Sequence, residues 1–192
     1  MPRAGLTPEV VAAEASQVCD EQGFDALSLA AVAKRLGVAT PSLYKHVAGL
    51  DALRRLVVLA TVEELTERMR EAAVGRSRGA AVRALFAAYR DFAHEHPGRY
   101  AALQRAPSPE DHEASATFAR ALEVISSVLR GFAIPEERSV HVIRVLRSTM
   151  HGFIDLETQG GFGLPESLDE SYTLMVEGFV RLLEQWPDTK ET

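Results

Sequence analysis

Residues 28–47 constrain this chain more than any other stretch, because they read as two short helices joined by a tight, glycine-led corner. Ser28 stands where an N-cap is expected, and the apolar residues Leu29, Val32, Ala33 and Leu36 follow it at i, i+3, i+4 and i+7. Gly37 ends that helix. Thr40 and Pro41 start the next one after only Gly37-Val38-Ala39, and Leu43 and Val47 share its buried side before Gly49 closes it. The first helix has to be short and apolar on one side to brace the second at a steep angle, which is the helix-turn-helix arrangement. Gly37 supplies the left-handed backbone of the turn, and Val38 plugs the corner.

The flanking sequence is helical as well. Thr7-Pro8-Glu9 reads as cap, first helical position and acidic first turn of a helix that runs to Gln22, with Val11, Ala15 and Val18 on one face and Gly23 as its stop. A longer helix is expected from about 51 to 73 on Leu53, Leu56, Val57 and Ala60, followed by a linker over 75–79. Beyond it, apolar stripes predict further helices. One carries Val82, Leu85, Phe86, Tyr89 and Ala93, and a short one carries Tyr100 and Leu103. Another opens at Ser108-Pro109-Glu110 and uses Phe118, Leu122, Ile125, Leu129 and Phe132. The segment 135–158 holds Ile143, Leu146, Met150, Phe153 and Ile154, and the last helix holds Tyr172, Met175, Phe179, Leu182 and Trp186. Strand signals are nearly absent. The expectation is an all-α chain of about nine helices: a three-helix helix-turn-helix domain over 1–50, a connector helix over 51–74 and a larger helical bundle over 75–192.

Several function classes drop out at this level. The longest strongly apolar run, Leu56-Val57-Val58-Leu59-Ala60, is far short of the roughly 20 residues of a membrane helix. Met1 to Thr7 contain no apolar h-region, and the single cysteine, Cys19, allows no disulfide framework. The expected compartment is the cytoplasm, with Cys19 read as a small core residue. His94 and His96 diverge on a helix, and the His151/Asp155 pair lacks a third ligand at a motif spacing. No phosphate-cradling loop or nucleophile elbow is present either. No catalytic residue, metal or cofactor is therefore expected.

The net charge of -6 argues against coating nucleic acid through bulk charge, but the distribution matters more than the sum. From Leu27 to Leu50 there is no Asp or Glu, while Lys34, Arg35 and Lys45 fall in that window; Arg54 and Arg55 follow against Asp51 alone. The window coincides with the two short helices. A helix entering the major groove must present small or polar side chains at its N-terminus, as Thr40, Pro41 and Ser42 do. Tyr44, Lys45 and His46 sit one turn on, where hydroxyl, ammonium and imidazole reach sugar-phosphate oxygens. An ordinary α-hairpin with a solvated basic face is the competing reading.

The run Leu36-Gly37-Val38-Ala39-Thr40-Pro41-Ser42-Leu43-Tyr44-Lys45-His46-Val47 resembles the recognition segment of the tetracycline-repressor (TetR) family of bacterial regulators. Gly23-Phe24-Asp25-Ala26-Leu27-Ser28 and Leu50-Asp51-Ala52-Leu53 are similar to the family pattern too, over roughly residues 7–65. The resemblance implies an N-terminal DNA-binding domain, a connecting helix, and a helical domain that dimerises and binds an effector. Tyr44 would be a phosphate contact, with Thr40, Pro41, Ser42 and Lys45 nearest the bases. Leu29, Ala30 and Ala48-Gly49-Leu50 depart from the basic or hydroxyl residues often found there, which implies fewer base-reading side chains. Arg3, in the N-terminal arm, is read as solvated.

The stretch Met150 to Glu157, followed by Gly160-Gly161-Phe162-Gly163, is similar to one subgroup of regulatory domains. The implied partners are a double-stranded operator, a second copy of the chain and a small-molecule effector. Ile143, Ile154, Phe179 and Leu182 are the candidate dimer contacts. Phe86, Tyr89, Phe118, Leu122, Arg147, Met150 and His151 are candidate linings of an effector pocket. Arg144, Arg147, His151 and Asp155 share one helix face, suited either to a polar ligand or to inter-subunit ion pairs. A repressor released from its operator by a small molecule is the expected function; the alternative is a helical adaptor that no longer binds DNA specifically.

Overall fold

The Thr7 side chain accepts a hydrogen bond from the Val10 amide at 3.3 Å, and Pro8 occupies the first turn, so the first helix starts where the sequence places it. The computed structural model describes residues 6–103 and 107–186; Arg3 lies outside them. Among the described residues there are eight α-helices and two 3-10 segments, and no strand. The α-helices are α1 (Pro8–Gln22), α2 (Leu29–Leu36), α3 (Leu50–Ala73), α4 (Arg78–Glu95), α5 (Pro97–Ala102), α6 (His112–Leu129), α7 (Glu136–Thr158) and α8 (Leu168–Glu184). The 3-10 segments are Phe24–Ala26 and Thr40–Lys45. The chain is all-α, as its periodicity predicts.

The helices form two compact units. The first takes the described residues up to Glu64 together with those of 95–118; the second takes Leu65–His94 and the described residues from Ala119 onward. In the first unit Val11, Ala15, Val18 and Cys19 of α1 meet Val32 and Ala33 of α2, Leu43, Val47, and Leu53 and Val57 of α3 in one buried cluster. Segment 95–118 joins this unit because α5 packs backbone to backbone on the end of α1. A Cβ added at Gly98 would stand 1.7 Å from the Cys19 carbonyl oxygen. Only glycine allows that approach.

The second unit is built on aromatic packing. Phe86 of α4 is fully buried, 5.7 Å from the Phe179 ring and 6.3 Å from Tyr172, whose hydroxyl donates to the Phe86 carbonyl at 2.8 Å. Leu146, Met150 and Ile154 of α7 and Leu183 of α8 complete this interior. Arg90 of α4 bridges Glu157 of α7 and Asp169 at the start of α8, lying over the Tyr172 ring at 4.6 Å. These contacts tie α4, α7 and α8 together without any aid from propensity.

Two local expectations change. Ser108 does not open α6: Asp111 does, its carboxylate accepting from the Ala114 amide at 3.0 Å, while the Ser108 carbonyl accepts from the Asp111 amide at 2.9 Å in a preceding turn. The second helix of the corner is 3-10, not α. Pro41 brings no N–H, and the six-residue segment closes on i, i+3 bonds such as Ser42 N–H to Ala39 carbonyl at 2.8 Å.

Candidate nucleic-acid interface

The corner is fixed by backbone chemistry before any side chain is considered. Ser28 caps α2 by accepting from the Ala31 amide at 3.2 Å. At the other end Gly37 adopts φ 65°, its N–H donating to the Lys34 carbonyl and the Val38 N–H to the Ala33 carbonyl at 3.0 Å. That paired pattern is a Schellman closure, and a side chain at Gly37 would pay the left-handed penalty. It turns the chain within three residues, so that Leu43 and Val47 enter the core beside Val32 and Ala33.

A 3-10 segment has three residues per turn, so its side chains form three ridges. Thr40, Leu43 and His46 make the inward ridge, with Leu43 fully buried and the other two half-buried. Pro41 and Tyr44 make a second ridge that faces solvent, Tyr44 being 59% exposed. Ser42 and Lys45 make the third, with Lys45 exposed. Of the six residues singled out from the sequence, Pro41, Tyr44 and Lys45 are thus presented outward; Thr40, Ser42 and His46 flank them half-covered. A tyrosine more than half exposed beside two buried aliphatics has no packing role of its own. Its ring and hydroxyl are held out by the anchors behind them.

The basic island thins out in three dimensions. Arg35 donates to Glu14 at 3.0 Å and to Glu21 at 2.6 Å, so it clamps α2 to α1, and these bonds hold its pKa above the ordinary guanidinium value. Arg55 is held by Asp111 at 2.5 and 2.7 Å and by Glu113 at 2.7 Å. The same guanidinium holds the Asp111 carboxyl well below the usual carboxylate range. Among the described residues, no carboxylate pairs with Lys34 or Lys45. Those two lysines are the ammonium groups left for a polyanion. The sequence window counted charges without seeing acids that approach from 14 to 58 positions away.

Sequence reasoning missed the buried polar cluster behind this face. Arg99 of α5 is 7% exposed and donates through Nε to Asp20 at 2.8 Å and through Nη1 to Glu64 at 2.5 Å; its backbone N–H reaches Asp20 at 3.2 Å. His96 Nδ1 lies 2.9 Å from the same Asp20. The partners are 76 and 79 positions apart, and no local pattern marks them. The cluster pins α5 to the end of α1 and to the middle of α3.

Comparison with known proteins decides the family. Residues 12–54 match the profile of bacterial regulatory proteins of the tetR family, and residues 82–179 match the tetracyclin repressor-like C-terminal domain. An HTH-type transcriptional regulator of Mycobacterium tuberculosis is 35% identical over 158 residues, covering 82% of this chain and 72% of that protein. The chain belongs to the TetR family. A second HTH-type regulator, YobS of Bacillus subtilis, is 32% identical over 182 residues, covering 93% of each chain. A solved structure from Rhodococcus sp. RHA1 shares the fold, with a TM-score of 0.78 at 24% identity over 95% of this chain and 97% of the other.

TetR-family regulators bind operator DNA through the N-terminal motif and carry effector-binding, dimerising C-terminal domains; here the N-terminal match spans α1, α2 and the corner. In the second unit, the candidate pocket residues separate. Tyr89 and His151 are hydrogen-bonded at 2.7 Å with their rings edge-on, and burial, the largest cause, with Arg147 adding to it, pushes the His151 pKa down to about 4. Phe86 and Met150 are buried in the core, and Arg147 is half-buried on α7. Leu122 is 44% exposed on the outer side of α6, so it lines no interior. Phe118 borders a different, 210 Å³ pocket in the first unit with Phe24, Arg54 and Arg55. Two dimer candidates also move. Ile154 is 0% and Phe179 5% exposed within the single chain, because Ile154 faces the interior and Phe179 packs on Phe86. They are core residues. Leu182 is 46% exposed and Ile143 half-buried, and Val140, Val145, Leu156 and Leu174 are exposed on the same two helices.

Proposed function

We propose that this regulator is a homodimeric repressor that reads its operator through the Pro41/Tyr44 and Ser42/Lys45 ridges and releases it when a small molecule binds the second unit. The observation that carries the reading is the outward Tyr44 and Lys45 on a segment whose Leu43 and Val47 are locked in the core. Tyr44 and Lys45 reach backbone phosphates, which set register; Pro41 and Ser42 stand nearest the base edges, with half-buried Thr40 and His46 at the flank. Half-sites one turn of DNA apart require two copies of the chain. Exposed Leu182 and its apolar neighbours on α7 and α8 are the surface suited to that pairing, with Ile143 at its margin.

The effector is assigned to the neighbourhood of Tyr89, Arg147 and His151. Tyr89 and His151, hydrogen-bonded to each other at 2.7 Å with the imidazole neutral in a largely buried setting, suit an uncharged organic molecule. Binding shifts the population between a conformation that fits the operator and one that does not.

Fluorescence anisotropy with DNA tiled upstream of the protein's own gene tests this. Tight binding to one tile, weakened at least tenfold in both Tyr44→Phe and Lys45→Ala, is the expected result. Equal weak binding to every duplex, unchanged in those variants, would instead favour the helical adaptor.

A further inference from the structure

The first unit contains a half-open cavity of about 810 Å³, well within the size range of small-molecule sites. It lies where the end of α1 and the Phe24–Ala26 turn meet the first turns of α3 and the short helix α5. Phe24, Pro97, Ala101 and Ala102 give it an apolar wall. Among the described residues Arg54 is the one cation lining it, and Arg54 also lines the smaller 210 Å³ pocket alongside.

Arg54 is unusual in this chain. Its Nε is shielded from solvent and has no hydrogen-bond partner, alone in that respect among the described buried side-chain nitrogens and oxygens. Its Nη1 comes no nearer than 3.9 Å to Asp51, a carboxylate that is itself fully exposed. Arg35, Arg55, Arg83, Arg90 and Arg99 all hold carboxylates at 3.0 Å or closer. Among the described residues two acids line the cavity with Arg54: Asp20, already committed to Arg99 and His96, and Asp25. The Arg54 side chain is 36% exposed as a whole, but its shielded Nε–H without an acceptor is costly, and a carboxylate reaching Nε and an Nη together would satisfy it as a bidentate pair.

We propose that this cavity is a second ligand site, separate from the effector site assigned to the second unit, and that it takes an organic monocarboxylate. The carboxylate sits on Arg54, and an apolar or aromatic body lies between Phe24 and the Pro97–Ala102 helix. The site has a direct route to the DNA-binding face, since Leu53, the neighbour of Arg54, is fully buried in the cluster that also holds Leu43 and Val47. Occupancy therefore bears on the start of α3 without passing through the Tyr89/His151 pair.

The test uses the full chain and 4-fluorobenzoate, followed by fluorine NMR line broadening, with 3-(4-fluorophenyl)propionate as a second probe. Saturable binding of at least one carboxylate is expected. Affinity should fall at least tenfold in Arg54→Gln, which removes the guanidinium, and in Ala101→Phe, which fills the cavity from an exposed position and leaves the charge in place. Tyr89→Phe and His151→Gln should bind as wild type does, and far-UV circular dichroism of each variant checks its folding. 4-Fluorobenzyl alcohol and 4-fluorobenzylamine should bind at least tenfold more weakly than the acid. The proposal is overturned if neither carboxylate saturates, if Arg54→Gln retains the affinity, or if the alcohol or amine binds as well. Loss in Tyr89→Phe rather than in Ala101→Phe would place the carboxylate in the second unit and overturn it too.

Discussion

Replacing Gly98 by alanine is the smallest change that tests how α5 is seated. The added Cβ would lie 1.7 Å from the Cys19 carbonyl oxygen, 2.4 Å from its carbonyl carbon and 3.0 Å from the Asp20 nitrogen. A carbon–oxygen contact settles at about 3.3 Å, so α5 and the end of α1 must separate by roughly 1.6 Å. The atoms in the way are backbone and cannot swing aside. That shift would take Arg99 Nε and His96 Nδ1, now 2.8 and 2.9 Å from Asp20, out of hydrogen-bonding range. Each charge-assisted bond contributes about 1.5–3 kcal/mol, and Asp20 would be left largely buried without its partners. The expected loss is about 3 kcal/mol or more, which corresponds to a fall in Tm of about 6–12 °C for a chain of this length. Urea unfolding followed by circular dichroism at 222 nm, with wild type and variant run together, gives the difference. A Gly98→Ala protein within about 0.5 kcal/mol of wild type would refute the close approach and the reasoning built on it; surface substitutions fall in that range.

Three further outcomes follow from the same geometry. Lys45→Ala should lower the salt slope of operator binding by about 0.9 per subunit, whereas Arg35→Ala should leave it unchanged because Arg35 is spent on Glu14 and Glu21; equal effects would show that the ion pairs do not hold in solution. His151 binds its proton near pH 4 in the folded chain and near its ordinary 6.5 when unfolded, so protons favour the unfolded state between those values. Stability should fall as the pH drops through that window, and His151→Gln should flatten the fall in urea titrations; an unaltered profile would count against a buried neutral imidazole. Gly37→Ala meets no steric neighbour but must hold φ 65°, so a loss of about 1–2 kcal/mol is expected by urea unfolding, with no loss counting against the left-handed closure.

The sequence alone determined where the helices run, the caps at Thr7, Ser28 and Gly37 and the place of the corner, because each rests on residues within a few positions of one another; it missed the Asp111 start of α6 and the 3-10 form of Thr40–Lys45. Thr7, Ser28 and Gly37 act on amides and carbonyls one turn away, and the i, i+3, i+4 spacing of Leu29, Val32, Ala33 and Leu36 needs no distant partner. The outward Tyr44 and Lys45 belong to the same class: once Leu43 and Val47 point inward, the backbone period fixes where their neighbours go. The tertiary structure decided everything that depends on residues far apart in the chain. Arg35 and Arg55 look like free cations in sequence and are claimed by acids on other segments. Gly98, which no local pattern singles out, is the contact that admits α5 to the first unit. Ile154, Phe179 and Leu122 show why amphipathic spacing stops short of assigning an interface: it says which side of a helix is apolar, but not whether its own chain or another covers that side. Local rules act through covalent proximity, whereas burial and ion pairing are settled only when the chain has folded and each surface has met, or failed to meet, a partner.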